Sequence, residues 1–188
     1  AYTSISHLGF VLLGIFAGNT LALQGAVMTM IAHGISTGAL FIVAGGLLAR
    51  TRTREVADMG GLWDTIPRLS GVALFFALAS LGLPGLGDFV GEFLILLGTY
   101  RVHVAMAAVA AGGVLAATFY ALRFVQRAFQ GPNVHQWKLL DLAAREGLML
   151  GAMIVLLLWL GLYPQPVFHD FAQAANHFPA PRRWTPGA

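Results

Sequence analysis

Long uncharged stretches, each closed by arginines or prolines, set the pattern of this chain. Ala1 to Ala49 contains no Asp, Glu, Lys or Arg. A helix of about 20 residues crosses the hydrocarbon core of a bilayer. The run is therefore too long for one span and predicts two, at residues 1–17 and 22–48, divided at the turn-like triplet Gly18-Asn19-Thr20. Arg50, Arg52, Arg54 and Glu55 end the second abruptly and open a polar loop over residues 49–68, in which Gly60-Gly61-Leu62-Trp63 reads as a turn followed by an interfacial aromatic. From Leu69 to Gly87 the charges vanish again, and Asp88 and Glu92 then fall inside apolar sequence. Pro84 stands among Gly82, Gly85 and Gly87. Proline has no N–H to give a helix, so the third span, residues 69–99, is expected to be discontinuous at Leu83-Pro84-Gly85. In lipid such a break is tolerated only where protein or internal water satisfies the freed backbone groups.

Arg101 and His103 mark a short connection to a fourth span at 103–125, where Ala110, Ala111, Gly112, Gly113, Ala116 and Ala117 suit close helix contacts. A second polar loop, 126–146, carries Arg127, Gly131-Pro132, Trp137, Lys138 and Arg145. The fifth span, 147–163, is the most uniformly apolar and stops at Tyr163-Pro164-Gln165-Pro166. Residues 164–188 read as a polar, Pro-rich tail with Arg182, Arg183 and Trp184. The fold class is thus all-α integral membrane, with five transmembrane helices.

Composition agrees. The chain is 57% hydrophobic and 10% charged, with a mean hydropathy of +0.74, against about 25% charged for a soluble domain. Without cysteine, disulfides and thiolate-held metal or iron–sulfur centres are excluded. The pI of about 9.8 is accounted for by loop arginines and does not call for nucleic acid. Arg50, Arg52, Arg54, Arg68, Arg123, Arg127, Lys138 and Arg145 lie on one side of the predicted topology; Arg101, Arg182 and Arg183 lie on the other. The positive-inside rule puts the two large loops in the cytoplasm and the C-terminus outside. The chain opens directly in uncharged, helix-like sequence, which suggests a fragment lacking its N-terminal portion.

The ionisable side chains within spans that suit proton exchange are His7, His33 and Glu92. An intramembrane acid beside a helix break is a functional-site candidate, and imidazole changes charge near neutral pH. Together they suit proton transfer. Thr3, Ser4, Ser6, Thr29, Ser36 and Thr37 supply hydroxyls nearby, and those one turn from His7 or His33 could hold water. The plainer alternatives are packing histidines and an interfacial Glu92. Asp88 reads first as a partner of the unwound Gly-Pro-Gly backbone. It is four residues from Glu92, so the two share a face and would repel if both were charged. One should be neutral, paired with a cation or wet. His103, His135, His169 and His177 fall in connections or the tail. No phosphate loop, close metal-ligand spacing or nucleophilic triad is legible, so no catalytic, cofactor-binding or metal residue is assigned.

An ordered set of segments carries a resemblance across nearly the whole chain: Ala1 to Phe10 with His7, Gln24-Gly25-Ala26, Met30 to Ser36 with His33, Arg52-Thr53-Arg54, Gly60 to Trp63, Leu83-Pro84-Gly85, Phe89 to Phe93 with Glu92, and Tyr163 to Pro166. The set resembles the antiporter-like membrane subunits of respiratory complex I, the NADH:quinone oxidoreductase, and among them the M-type chains (counterparts of mitochondrial subunit 4). The resemblance implies the last five helices of a fourteen-helix fold, with Glu92 as the terminal proton-exchanging acid on a discontinuous helix and His7 and His33 on a hydrophilic axis. Other charges of that axis would precede Ala1, so this polypeptide alone is not expected to move protons.

The implied function is part of a proton channel in a redox-driven pump of the bacterial inner membrane. NADH, FMN, iron–sulfur clusters and quinone are expected in partner subunits and not on this chain. Expected partners are the other membrane subunits, the missing N-terminal portion and the lipid bilayer. The alternative is an Mrp-type cation/proton antiporter subunit, or a membrane-bound hydrogenase subunit, of the same fold. The Glu at position 92 and the Tyr163 to Pro166 ending favour complex I.

Overall fold

A computed structural model describes residues 2–56, 59–131 and 137–177. The described residues form eight helices and no strand: α1 (Tyr2–Phe16), α2 (Thr20–Thr51), α3 (Leu62–Thr65), α4 (Pro67–Ser80), α5 (Gly87–Tyr100), α6 (Val104–Phe129), α7 (Ala144–Leu162) and α8 (Gln165–His177). Of these, α2, α6 and α7 are long and apolar enough to cross a membrane; the apolar part of α1 and all of α4 are shorter.

Local chemistry sets the boundaries. Gly18 turns the chain with φ 67°, and the Asn19 side chain then accepts from Ala22 N–H at 2.9 Å to cap α2. α2 runs for 32 residues, about 48 Å at 1.5 Å per residue. It overruns the expected 22–48 at both ends, because Arg50 and Thr51 continue the helix beyond the apolar stretch before Arg52 closes it with φ 58°. α4 opens with Pro67 at its first position, where no N–H is needed.

Between Ser80 and Gly87 the chain makes two successive turns. Gly82, with φ 71°, ends α4: Leu83 N–H reaches Leu78 C=O and Gly82 N–H reaches Ala79 C=O, the paired closure of a Schellman motif. Leu83-Pro84-Gly85-Leu86 then forms a turn closed by Leu86 N–H to Leu83 C=O at 3.1 Å, with Gly85 at φ 95°. Pro second and a positive-φ Gly third is the pattern of a type II turn. The interruption thus begins four residues before Pro84, and Gly82 ends the helix.

α2 and α5 pack most closely. Their seam is lined by Ala22, Gly25 and Thr29 on one side and Gly98, Ile95 and Gly91 on the other. One apolar cluster joins Val43 and Leu47 of α2 with Leu69, Phe76, Phe129, Leu150 and Leu157; a smaller one joins Phe10, Val11, Ala26 and Ile95. α6 leaves much of its surface open, with Val109 78% and Leu115 74% exposed, as expected of a face turned to lipid or to another subunit. Gly112 and Gly113 meet nothing within 4 Å. The close contacts expected of them are therefore not made within this chain.

The two polar loops come together at one end. Arg50 of α2 binds Glu146 of α7 twice, at 2.6 and 3.2 Å, and donates to the carbonyls of Gly46, Leu140 and Asp141. Ile66, before α4, offers no side-chain cap. Asp141 supplies one from elsewhere in the chain, accepting from Arg68 and Leu69 N–H at 3.1 Å each and from its own neighbour Leu142 at 2.7 Å. Burial alone would raise the Asp141 carboxyl, but the N–H groups of Leu142, Leu69 and Arg68, with the Arg68 charge, hold it below its ordinary value. Because the folded state lowers this value, the carboxylate's contribution is present above about pH 4 and fades as pH falls through the folded value. Asp141→Ala is therefore expected to cost about 1–2 kcal/mol near neutrality. Thermal unfolding of the purified protein at several pH values should show the difference shrinking as the pH falls below the ordinary aspartate value.

The tail differs from its predicted form. α7 ends at Leu162, just ahead of Pro164 and Pro166 as the sequence implies, but residues 165–177 of the expected polar tail form a further helix, α8; proline is accommodated in a helix's first turn. α3 likewise lies inside the expected loop. Pro132, His135, Arg182, Arg183 and Trp184 lie outside the described residues, as does the His177 side chain.

Candidate functional site

The interruption delivers α5 into the bundle with its two acids inward. Asp88 is wholly buried and Glu92 is 6% exposed. Glu92 Oε1 lies 2.7 Å from Nδ1 of His7, itself 4% exposed. Two charges removed from water are costly unless paired, so this contact explains how an acid is tolerated here. The His7 ring lies 4.7 Å from that of His33, tilted by 33°. α1, α2 and α5 thus bring His7, His33 and Glu92 into one cluster.

The hydroxyls divide. Thr37 Oγ1 lies 3.2 Å from both ring nitrogens of His33. Ser36 Oγ reaches Asp88 Oδ1 at 3.3 Å. Thr29 packs against Gly91, with its Oγ1 buried and unpartnered. Asp88 bonds to Ser36 on α2, and its Oδ2 has no partner. The turn is closed by its own Leu86 N–H on Leu83 C=O, and the side-chain partner of Asp88 is Ser36 across the seam on α2. Pro84 lies in the turn and touches none of the titratable groups through a hydrogen bond of its own, having no N–H.

Two cavities adjoin the cluster. One of about 10 Å³ is lined by Ser6, His7, Ser80 and Glu92, room for about one water. The other, about 370 Å³, lies between α2, α4 and α6 and is lined by Ser4, His33 and Thr37 at its polar part and by Leu47 and Phe129 farther along. Ser80 borders both. A side chain at Gly82 would approach Glu92 Oε2 to 3.0 Å. The sequence reading placed Gly82 at the break but singled out neither it nor Ser80 as lining the site. Both belong to the end of the helix that carries the break, a signal that was available.

These features define a class: an integral membrane protein with a carboxyl–imidazole pair buried beside the turns that join α4 to α5. The chain belongs to the NADH:quinone oxidoreductase/Mrp antiporter transmembrane family, which its residues 1–119 match. It is 50% identical over 177 residues to NADH-quinone oxidoreductase subunit M of Pseudomonas aeruginosa, covering 94% of this chain and 35% of that protein. It is 45% identical over 170 residues to subunit M of Escherichia coli strain K12, covering 89% and 33%. Among solved structures it is similar to a chain of respiratory complex I from Thermus thermophilus with bound NADH, with a TM-score of 0.81, 36% identity and coverage of 92% of this chain and 38% of that one. The chain spans about a third of the length of the curated relatives it matches.

Proposed function

We propose that this chain is the C-terminal part of an M-type membrane subunit that forms part of a proton-translocation channel coupled to respiratory electron transport in NADH:quinone oxidoreductase. Its carrying observation is the buried 2.7 Å contact between Glu92 and His7, with the His33 ring 4.7 Å from that of His7. Glu92 exchanges the proton. His7 and His33 extend the path along α1 and α2, Ser36, Thr37 and Thr29 line it, and Pro84 and Asp88 belong to the helix break. Proton transfer needs groups within hydrogen-bond reach, directly or through a water, and the one-water cavity beside Glu92 meets that need.

On this reading α1, α2, the α4–α5 pair, α6 and α7 are five spans, the last five of fourteen, with α4 and α5 as two halves of one helix broken at Leu83-Pro84-Gly85. The chain is non-catalytic and binds no NADH, FMN, iron–sulfur cluster or quinone; those belong to partners. The other membrane subunits and the N-terminal portion of the same subunit complete the path in the bacterial inner membrane. The Arg50–Glu146 contact supports the basic loops lying on one side, which the positive-inside rule makes cytoplasmic.

The family also includes Mrp-type antiporters, but similarity to relatives called subunit M favours complex I. Affinity capture of the full-length subunit from its own membranes separates the two. Co-elution of NADH-dependent quinone reduction supports this reading; elution only with antiporter or hydrogenase subunits overturns it.

A further inference from the structure

Asp88 is the one fully buried acid of α5 that the path above does not use for proton exchange. Its Oδ1 lies 3.3 Å from Ser36 Oγ, and its Oδ2 is buried without a partner. Ser36 Oγ is also 3.3 Å from the carbonyl oxygen of His33, one turn back on α2. A serine hydroxyl has one hydrogen and two lone pairs. While Asp88 is a carboxylate, two acceptors therefore compete for a single hydrogen. With a proton on Asp88 both contacts are made: the Asp88 O–H donates to Ser36 Oγ, and the Ser36 O–H donates to the His33 carbonyl.

Among the described residues the surroundings offer no cation in exchange. The titratable groups facing this seam are His7 of α1, His33 of α2 and Glu92 of α5 itself, and His7 is already engaged by Glu92. α4 carries only Arg68, in its first turn, and α7 only Arg145 and Glu146, in its first turn. Arg123 and Arg127 lie in the last two turns of α6, and the titratable groups of α8 beyond Pro166 include the exposed His169 and Asp170. An ionised Asp88 would put a second negative charge, with no cation of its own, one turn from Glu92 in a buried site, a costly arrangement for a carboxyl.

The geometry points to Asp88 as a second proton-binding carboxyl, which holds its proton against Ser36 while Glu92 is paired with His7, so that the two acids of α5 are not charged together. The use made of that proton rests on the proton-channel reading; its binding does not.

Infrared difference spectroscopy of the assembled complex in membranes tests this near neutral pH. Wild type is expected to show a protonated-carboxyl C=O stretch that Asp88→Asn lacks and Glu92→Gln retains. Ser36→Ala, which keeps Asp88, should shift that band upward as its hydrogen bond is lost. Carboxylate bands at Asp88, or a band indifferent to Ser36→Ala, would overturn the assignment. Asn can still donate to Ser36, so the complex should assemble; if it does not, the Ser36→Ala shift decides alone. Undiminished translocation in Glu92→Gln with the Asp88 band intact would sink the channel reading and leave this one standing.

Discussion

Glu92→Gln in the full-length subunit is expected to leave the complex assembled while proton translocation falls at least about tenfold, since a positioned acid–base group contributes that much or more to proton transfer. Coupled quinone reduction should fall with it. Glutamine matches glutamate in shape and keeps a hydrogen-bonding oxygen or nitrogen toward His7 Nδ1, so the 2.7 Å contact can persist without an exchangeable carboxyl proton. That is what makes the substitution informative. If Glu92 only anchored α5 to α1, glutamine would serve nearly as well and translocation would continue. The measurement is acidification driven by NADH oxidation in membrane vesicles, normalised to the assembled complex on a native gel.

The second large effect concerns packing. Gly91→Ala is expected to prevent assembly, at a cost above about 3 kcal/mol, beyond the common range for overpacking. A Cβ at Gly91 would sit 2.7 Å from Thr29 N and 2.9 Å from Thr29 Cα. These are backbone atoms in mid-helix and cannot swing aside. Gly25 and Gly98 are equally tight, against Gly91 O and Ala22 N at 2.7 Å. Gly112→Ala on α6 is the control: nothing lies within 4 Å, and alanine is the better helix former by about 1 kcal/mol. Assembly should be lost in the first variant and kept in the second. Equal behaviour would mean that the α2–α5 seam is looser than described.

The turns between Ser80 and Gly87 were legible because their determinants are local. A Pro-Gly pair and a preceding Gly at the right offsets encode a type II turn and a Schellman closure. The residue types at the site were legible for a related reason: His7, His33 and Glu92 stand out in sequence with no other charge. Their partnership was not. The Glu92–His7 contact joins residues 85 apart, and Asp88–Ser36 depends on the α2–α5 register, which no local pattern declares. Charge misled the reading at the end of α2, since a helix can leave the apolar layer before it ends. At Tyr163 to Pro166 the prolines rightly marked the end of α7, but the polar composition beyond them did not declare α8, since a proline that ends one helix also suits the first turn of the next.

Asp141 has a consequence for the order of folding. The acceptors for the first free N–H groups of α4 come from a residue 73 positions later. A chain made from its N-terminus exposes those donors long before their partner emerges. Until the segment ahead of α7 arrives, water must serve them, and Asp141 can fasten the start of α4 only once that segment has been made.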